Sequence, residues 1–180
     1  TILKYISLLA FLGSPFFSSQ TFAAECATGT APLAGCTIDV SDITYTLTGN
    51  ITPASGDIGI QFNTGADGND VTLTGNITTT GDTAYGLFLN TSDSNTTNLT
   101  GNISTSGRSA YGLYLSSSDS NTTNLTGNIM TAGSFAYGLS LASSNSNTTT
   151  INGNISTTGN AAFGLYRNTS DSNPTNLTGN

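Results

Sequence analysis

The chain has 180 residues, a formal net charge of −7, three basic side chains and no histidine. That balance offers no basic patch to nucleic acid or to an anionic membrane, and it withholds the imidazole that general acid–base catalysis and zinc sites commonly recruit. Only 7% of the residues are charged, and Gly, Ser, Thr and Asn crowd the chain, a composition typical of disorder unless a periodicity organises it.

Residues 1–23 read as a secretory signal peptide: Lys4, an apolar run from Tyr5 to Phe17, then small residues, with cleavage expected after Ala23. Thr21 and Ala23 occupy the small-residue positions before the cut. The run falls short of the ~20 apolar residues that span a bilayer, and Pro15 interrupts it. With no Met at its start, the signal is expected to lack its first residue or residues. Residues 24–46 read as an N-terminal cap. Cys26 and Cys36 are the only cysteines, and export predicts a disulfide between them. Closing so short a loop removes roughly 3 kcal/mol of unfolded-chain entropy. Two thiols without histidine cannot complete a zinc site, so no metal and no cofactor are expected. Ile38, Val40, Ile43 and Tyr45 alternate with polar residues, with one slip in phase, and predict short strands.

From residue 47 to 180 the chain repeats. Leu47, Leu73, Leu99, Leu125, Ile151 and Leu177 follow one another at intervals of 26. Ala-Tyr-Gly-Leu at 84–87 returns at 110–113 and 136–139, and as Ala-Phe-Gly-Leu at 162–165. A fixed period of this length predicts a solenoid whose units bury their apolar faces against one another. Thr and Ile, glycine corners and period-two alternation choose strands over helices. The expected fold is therefore all-β, a parallel β-helix (β-solenoid) with 26-residue coils stacked ~4.8 Å apart.

The first unit, Ile51 to Asn76, is the least regular, with Ile58-Gly59-Ile60 one residue out of register. In later units Leu99, Gly101 and Ile103 share an inward face. Tyr111, Leu113 and Leu115 form a second inward row, so the Tyr111 hydroxyl needs a buried partner unless a bulge turns it out. Gly81, Gly107, Gly133 and Gly159 mark a corner, and Ser116 to Asn121 make the long bend. Asn50, Asn76, Asn102, Asn128, Asn154 and Asn180 are expected to stack as an amide ladder. Thr74, Thr100, Thr126 and Thr178 form a candidate surface-binding file, interrupted by Asn152. Arg108 is expected to pair with Asp82 of the preceding coil at the surface. Asp93, Asp119 and Asp171 share a column and read as solvated bend residues. Asn-x-Ser/Thr triplets such as Asn95-Thr96-Thr97 follow from composition alone.

The run TGNISTSGRSAYGLYL from Thr100 to Leu115, with its copies, resembles the repeats of bacterial autotransporter passenger domains over Thr46 to Asn180. The resemblance implies a right-handed β-helix, export to the cell surface, outer membrane or medium, and an outer-membrane β-barrel in a further C-terminal part. It also implies a non-catalytic adhesin or stalk that meets a host-cell, matrix or glycan surface. The repeats are expected to continue beyond Asn180, and an open last coil would self-associate. Catalysis is not expected: no Lys follows Lys4, Arg108 and Arg167 stand alone, and no Gly-x-Ser-x-Gly elbow is present. The alternative function is an ice- or glycan-binding solenoid that uses the Thr/Asn files.

Overall fold

The computed structural model describes residues 24–31 and 34–179; the expected signal peptide at 1–23 and the last ladder residue, Asn180, lie outside the described residues. From Ile77 on, each coil carries three strands because each repeat holds three short alternating runs separated by turn-formers. Thr96–Thr100 turns Thr97 and Leu99 inward and Thr96, Asn98 and Thr100 outward. Gly101 then adopts φ 146°, a region that glycine tolerates and side chains resist, and the chain enters Ile103–Thr105. The third strand, Leu113–Ser116, begins after the Gly107 corner. Ser117 and Ser120, both at positive φ, shape the bend that returns the chain to the next coil.

Stacked coils give three parallel sheets: two of seven strands, here called A and B, and one of four, called C. Sheet A contains Leu113–Ser116, sheet B Thr96–Thr100 and sheet C Ile103–Thr105. No helix occurs among the described residues, and the fold is a β-solenoid. The 26-residue period is the register itself: Leu99 faces Leu73 and Leu125, Ile103 faces Ile77 and Ile129, and Leu113 faces Leu87 and Leu139. The irregular first unit appears where expected, as Ile60 pairs with Leu87 across a 27-residue step. In sheet B the regular step already holds from Thr44, which faces Asp70.

The core is a bundle of identical columns. Leu47, Leu73, Leu99, Leu125 and Ile151 form one, Ile51, Ile77, Ile103 and Ile129 a second, and Leu89, Leu115 and Leu141 a third, all buried. One inward column is mixed: Tyr45 and Val71 are followed by Thr97, Thr123 and Thr149, whose buried hydroxyls have no hydrogen-bond partner. A buried hydroxyl left unpaired costs free energy. Thr123→Val should therefore raise stability by about 1 kcal/mol in urea denaturation, since Val71 already fits this column. A loss of stability would mean that the hydroxyl is bonded to water trapped inside the coil.

Two expectations about apolar alternation change. Ile38 and Tyr45 are buried, but Val40 and Ile43 are 49% and 42% exposed. Strand pairing stops at Ile38 and resumes at Thr44, and Asp42 lies at φ 60° between them, so the alternation does not run through this bend. Tyr111 is half-buried and turned outward. Its strand starts only at Leu113, and Gly112 bends the chain just before it, so the parity of the strand does not reach Tyr111.

Candidate functional site

The solenoid offers side faces, each a repeated column, in place of a single pocket. On sheet B the outward positions of Thr44–Thr48, Asp70–Thr74, Thr96–Thr100, Thr122–Thr126 and Thr148–Asn152 are all Thr or Asn except Asp70. The predicted file lies here: Thr74, Thr100 and Thr126 are exposed and stand opposite one another in register. Asn152 continues the column, and the Thr178 hydroxyl lies 2.8 Å from Asn152 Oδ1. Alternation and coil stacking thus set hydroxyls and amides on a grid of about 6.7 Å along a strand and 4.8 Å across coils. Such a grid can exchange hydrogen bonds with another regularly hydroxylated surface.

Sheet A has the opposite character. Tyr85, Tyr111 and Tyr137 form one outer column, with ring centroids 5.2 and 4.9 Å apart. Phe88 and Tyr114 begin a second column, stacked at 5.0 Å and 8°. The two columns meet edge to face, as between Tyr111 and Tyr114 at 88°. Near-parallel rings this close cannot lie side by side in one plane, so they overlap like shingles, and each ring of the column is half-buried. Ser140 replaces the ring in the second column and is covered, while Tyr137 reaches Tyr166 at 4.5 Å. Variation in type along Phe88, Tyr114, Ser140 and Tyr166 predicts an outward column; the three rings are half-exposed, whereas Ser140 is buried. The companion column of Tyr85, Tyr111 and Tyr137 is not legible in that way.

Burial pushes the Tyr111 phenol from its ordinary 10.0 up to about 12, and the neighbouring Tyr85, Tyr137, Tyr114 and Tyr166 add to the rise; burial raises Tyr85 as well, followed by Tyr114. The raised group favours the neutral form in the fold. Below about pH 10 both folded and unfolded chains keep the proton, and the stacking contributes in full. As pH rises from about 10 to 12 the unfolded chain ionises first, and stability falls. Urea midpoints should accordingly drop over this window, and Tyr111→Phe should remove part of the drop. An unchanged profile in Tyr111→Phe would mean that its phenol is as solvated as in the unfolded chain.

The remaining polar columns are tied up in holding the coils. Asn50, Asn76, Asn102, Asn128 and Asn154 form the expected ladder, each Oδ1 from Asn50 to Asn128 accepting the backbone N–H of the next member at 2.8–2.9 Å. A second ladder, not anticipated, is buried: Asn69, Asn95, Asn121, Asn147 and Asn173. There the Asn95 N–H donates to Asn121 Oδ1 at 2.8 Å, and Asn121 Nδ2 donates to the Ser92 carbonyl at 2.9 Å. The aspartates of the bend act similarly at the surface, Asp93 Oδ1 accepting the Asp119 N–H at 2.7 Å.

Arg108 departs from its expected pairing. Its backbone N–H donates to Asp82 Oδ1 at 3.0 Å, while its guanidinium carbon lies 5.4 Å from the centroid of Phe135, in the following coil. The short carboxylate is taken by the nearby backbone, and the long cationic stem reaches a ring instead. Cys26 and Cys36 are bonded at a Cα separation of 4.9 Å and lie in the core at the first coil. Beside them is a recess of about 320 Å³ lined in part by Thr37, Asp57, Gln61 and Asn63. Gln61 Nε2 there donates to Asn63 Oδ1, and Asn63 Nδ2 donates to Asp39 Oδ1, so the recess's amides are engaged with one another and with the cap. No family model, curated protein or solved structure matches the chain.

Proposed function

We propose that the chain is a length of non-catalytic, exported rod of the autotransporter-passenger kind, an adhesin or structural stalk. Its side faces would meet a host-cell, matrix or glycan surface. The observation that supports this reading is the 26-residue register, which holds through sheet B from Thr44 and through sheet A from Leu87. It repeats the outer columns from coil to coil and so extends a binding surface along one axis. In this reading the signal peptide directs export, the disulfide ties the first coil, and an outer-membrane β-barrel lies in a further part of the protein. An open last coil would add to its neighbours by strand pairing.

The test is made on cells that carry the whole gene. Antibody against the folded coils should label intact cells or the medium, and externally added protease should remove the label. Labelling only after lysis would overturn the reading. The Thr/Asn grid of sheet B favours a second function, binding to ice or to a crystalline glycan. Folded protein that slows ice recrystallisation, and loses the effect in Thr100→Lys with Thr126→Lys, would establish it. Inactivity in ice together with retained cell-surface binding would leave the adhesin.

A further inference from the structure

Five of the chain's seven tyrosines, Tyr85, Tyr111, Tyr114, Tyr137 and Tyr166, lie in one connected network of rings on sheet A. Tyr111 touches three of the others, at 5.2 Å to Tyr85, 5.2 Å to Tyr114 and 4.9 Å to Tyr137. Tyr137 passes the chain of contacts on to Tyr166. Phe88 and Phe163 flank the network, and neither has a phenol to oxidise. Tyr45 is buried away from it on sheet B. The ladders of asparagine already explain how the coils are held, so this grouping is left to be accounted for.

We propose that the network is a site of oxidative coupling, at which a one-electron oxidant of the haem-peroxidase and peroxide class joins tyrosines of successive coils, foremost Tyr111 to Tyr137, as dityrosine. Each phenol gives up one electron and one proton and becomes a phenoxyl radical with spin on the carbons ortho to oxygen. Two such radicals form one carbon–carbon bond between ortho positions, and each ortho hydrogen then moves to oxygen as the ring regains aromaticity. The pair loses two hydrogen atoms in all, and one hydrogen peroxide becomes two waters.

The geometry favours this product in three ways. Rings of adjacent coils are already in contact, so coupling needs only a local slide that brings two edges together and no diffusion of separate chains. The rings are half-exposed, which lets the oxidant and the departing proton reach them. A radical formed anywhere in the network can pass between touching rings until it meets a second one, and the phenylalanines confine it. A tyrosine phenol is ordinarily protonated at neutral pH, so water must take a proton at each oxidation. The bond would fasten two coils that are otherwise held by hydrogen bonds and packing. This goes beyond the proposed function and does not depend on it.

The test uses dilute folded protein treated with a haem peroxidase and hydrogen peroxide, followed by intact-mass measurement and peptide mapping. The expected result is a monomer lighter by two hydrogen atoms, with blue dityrosine fluorescence and a peptide pair linking Tyr111 to Tyr137. Tyr111→Phe and Tyr137→Phe should each lose that linked pair while keeping the circular dichroism of the parent, since Phe163 already occupies the column. Tyr45→Phe should retain it. An unchanged monomer mass, links only between molecules, or the same yield of the Tyr111–Tyr137 link in urea would each overturn the proposal.

Discussion

Replacing Gly107 by alanine should disrupt the coil stack around it, with a loss of about 4 kcal/mol or more, the range reached when backbone has nowhere to move. A Cβ built there falls 1.6 Å from the Gly81 carbonyl oxygen and 2.1 Å from its carbon. Both are backbone atoms of the preceding coil, so relief requires the two coils to part and their hydrogen bonds to break. The same approach recurs at Gly133 and Gly159, at 1.7 and 1.8 Å, which makes it a property of the stack and not of one corner. Chemical denaturation of Gly107→Ala measures the effect. A change under about 1 kcal/mol, ordinary for a surface substitution, would mean that the coils do not approach so closely.

Asn121→Ala should be the next most damaging change, at about 3 kcal/mol or more, because it strands two buried backbone groups at once. The Asn95 N–H loses its acceptor and the Ser92 carbonyl loses its donor, and water has no access to replace either. Asn102→Ala removes from the outer ladder the acceptor of the Asn128 N–H and the side-chain donor to Asn76 Oδ1, where solvent can compensate, and should cost about 1 kcal/mol. Equal losses in denaturation midpoint for the two variants would contradict the inner and outer assignment.

The contrast between the two ladders also marks what the sequence discloses. Period and alternation suffice for coil length, inward columns and register, because every coil must bury the same Leu and Ile columns or expose them; they do not disclose the corner at Gly101, where alternation reads Leu99, Gly101 and Ile103 as one strand and the chain makes two, in different sheets. They suffice for the Cys26–Cys36 bond, since no other thiol is present. The inner ladder escaped because Asn in a Ser/Asp/Asn run looks like an ordinary solvated bend. A finer signal was there: Asn recurs at 69, 95, 121, 147 and 173 without exception, whereas the aspartate column of the same bend changes to Asn at 145. The outer ladder is equally constant from Asn50 to Asn180, so constancy marks an amide that bridges coils on either side of the wall, while the bend carboxylate needs only an acceptor oxygen.

Tyr111 and Arg108 failed for a different reason. Period-two parity holds only while the chain is extended, and the bend at Gly112 ends it. Coil stacking does bring residues 82 and 108 together, yet it specifies backbone neighbours and not where a long side chain goes. Phe135, at φ 58°, presents the ring that Arg108 covers, and nothing in the repeat distinguishes that choice from a pairing with Asp82. The aromatic network follows from the same bend, since only an outward Tyr111 can meet Tyr114.

The stacked register itself is tested most directly by a pulsed electron–electron distance measurement between spin labels at Thr48 and Asn152. These exposed positions are 104 residues apart and are linked by four register steps, through Thr74, Thr100 and Thr126. Five stacked strands, four steps from first to last, predict a narrow distribution near 19 Å before allowance for the label arms, about 4.8 Å for each step. A broad distribution centred near about 55 Å, as for a flexible linker of that length, would contradict the solenoid and the binding faces built on it.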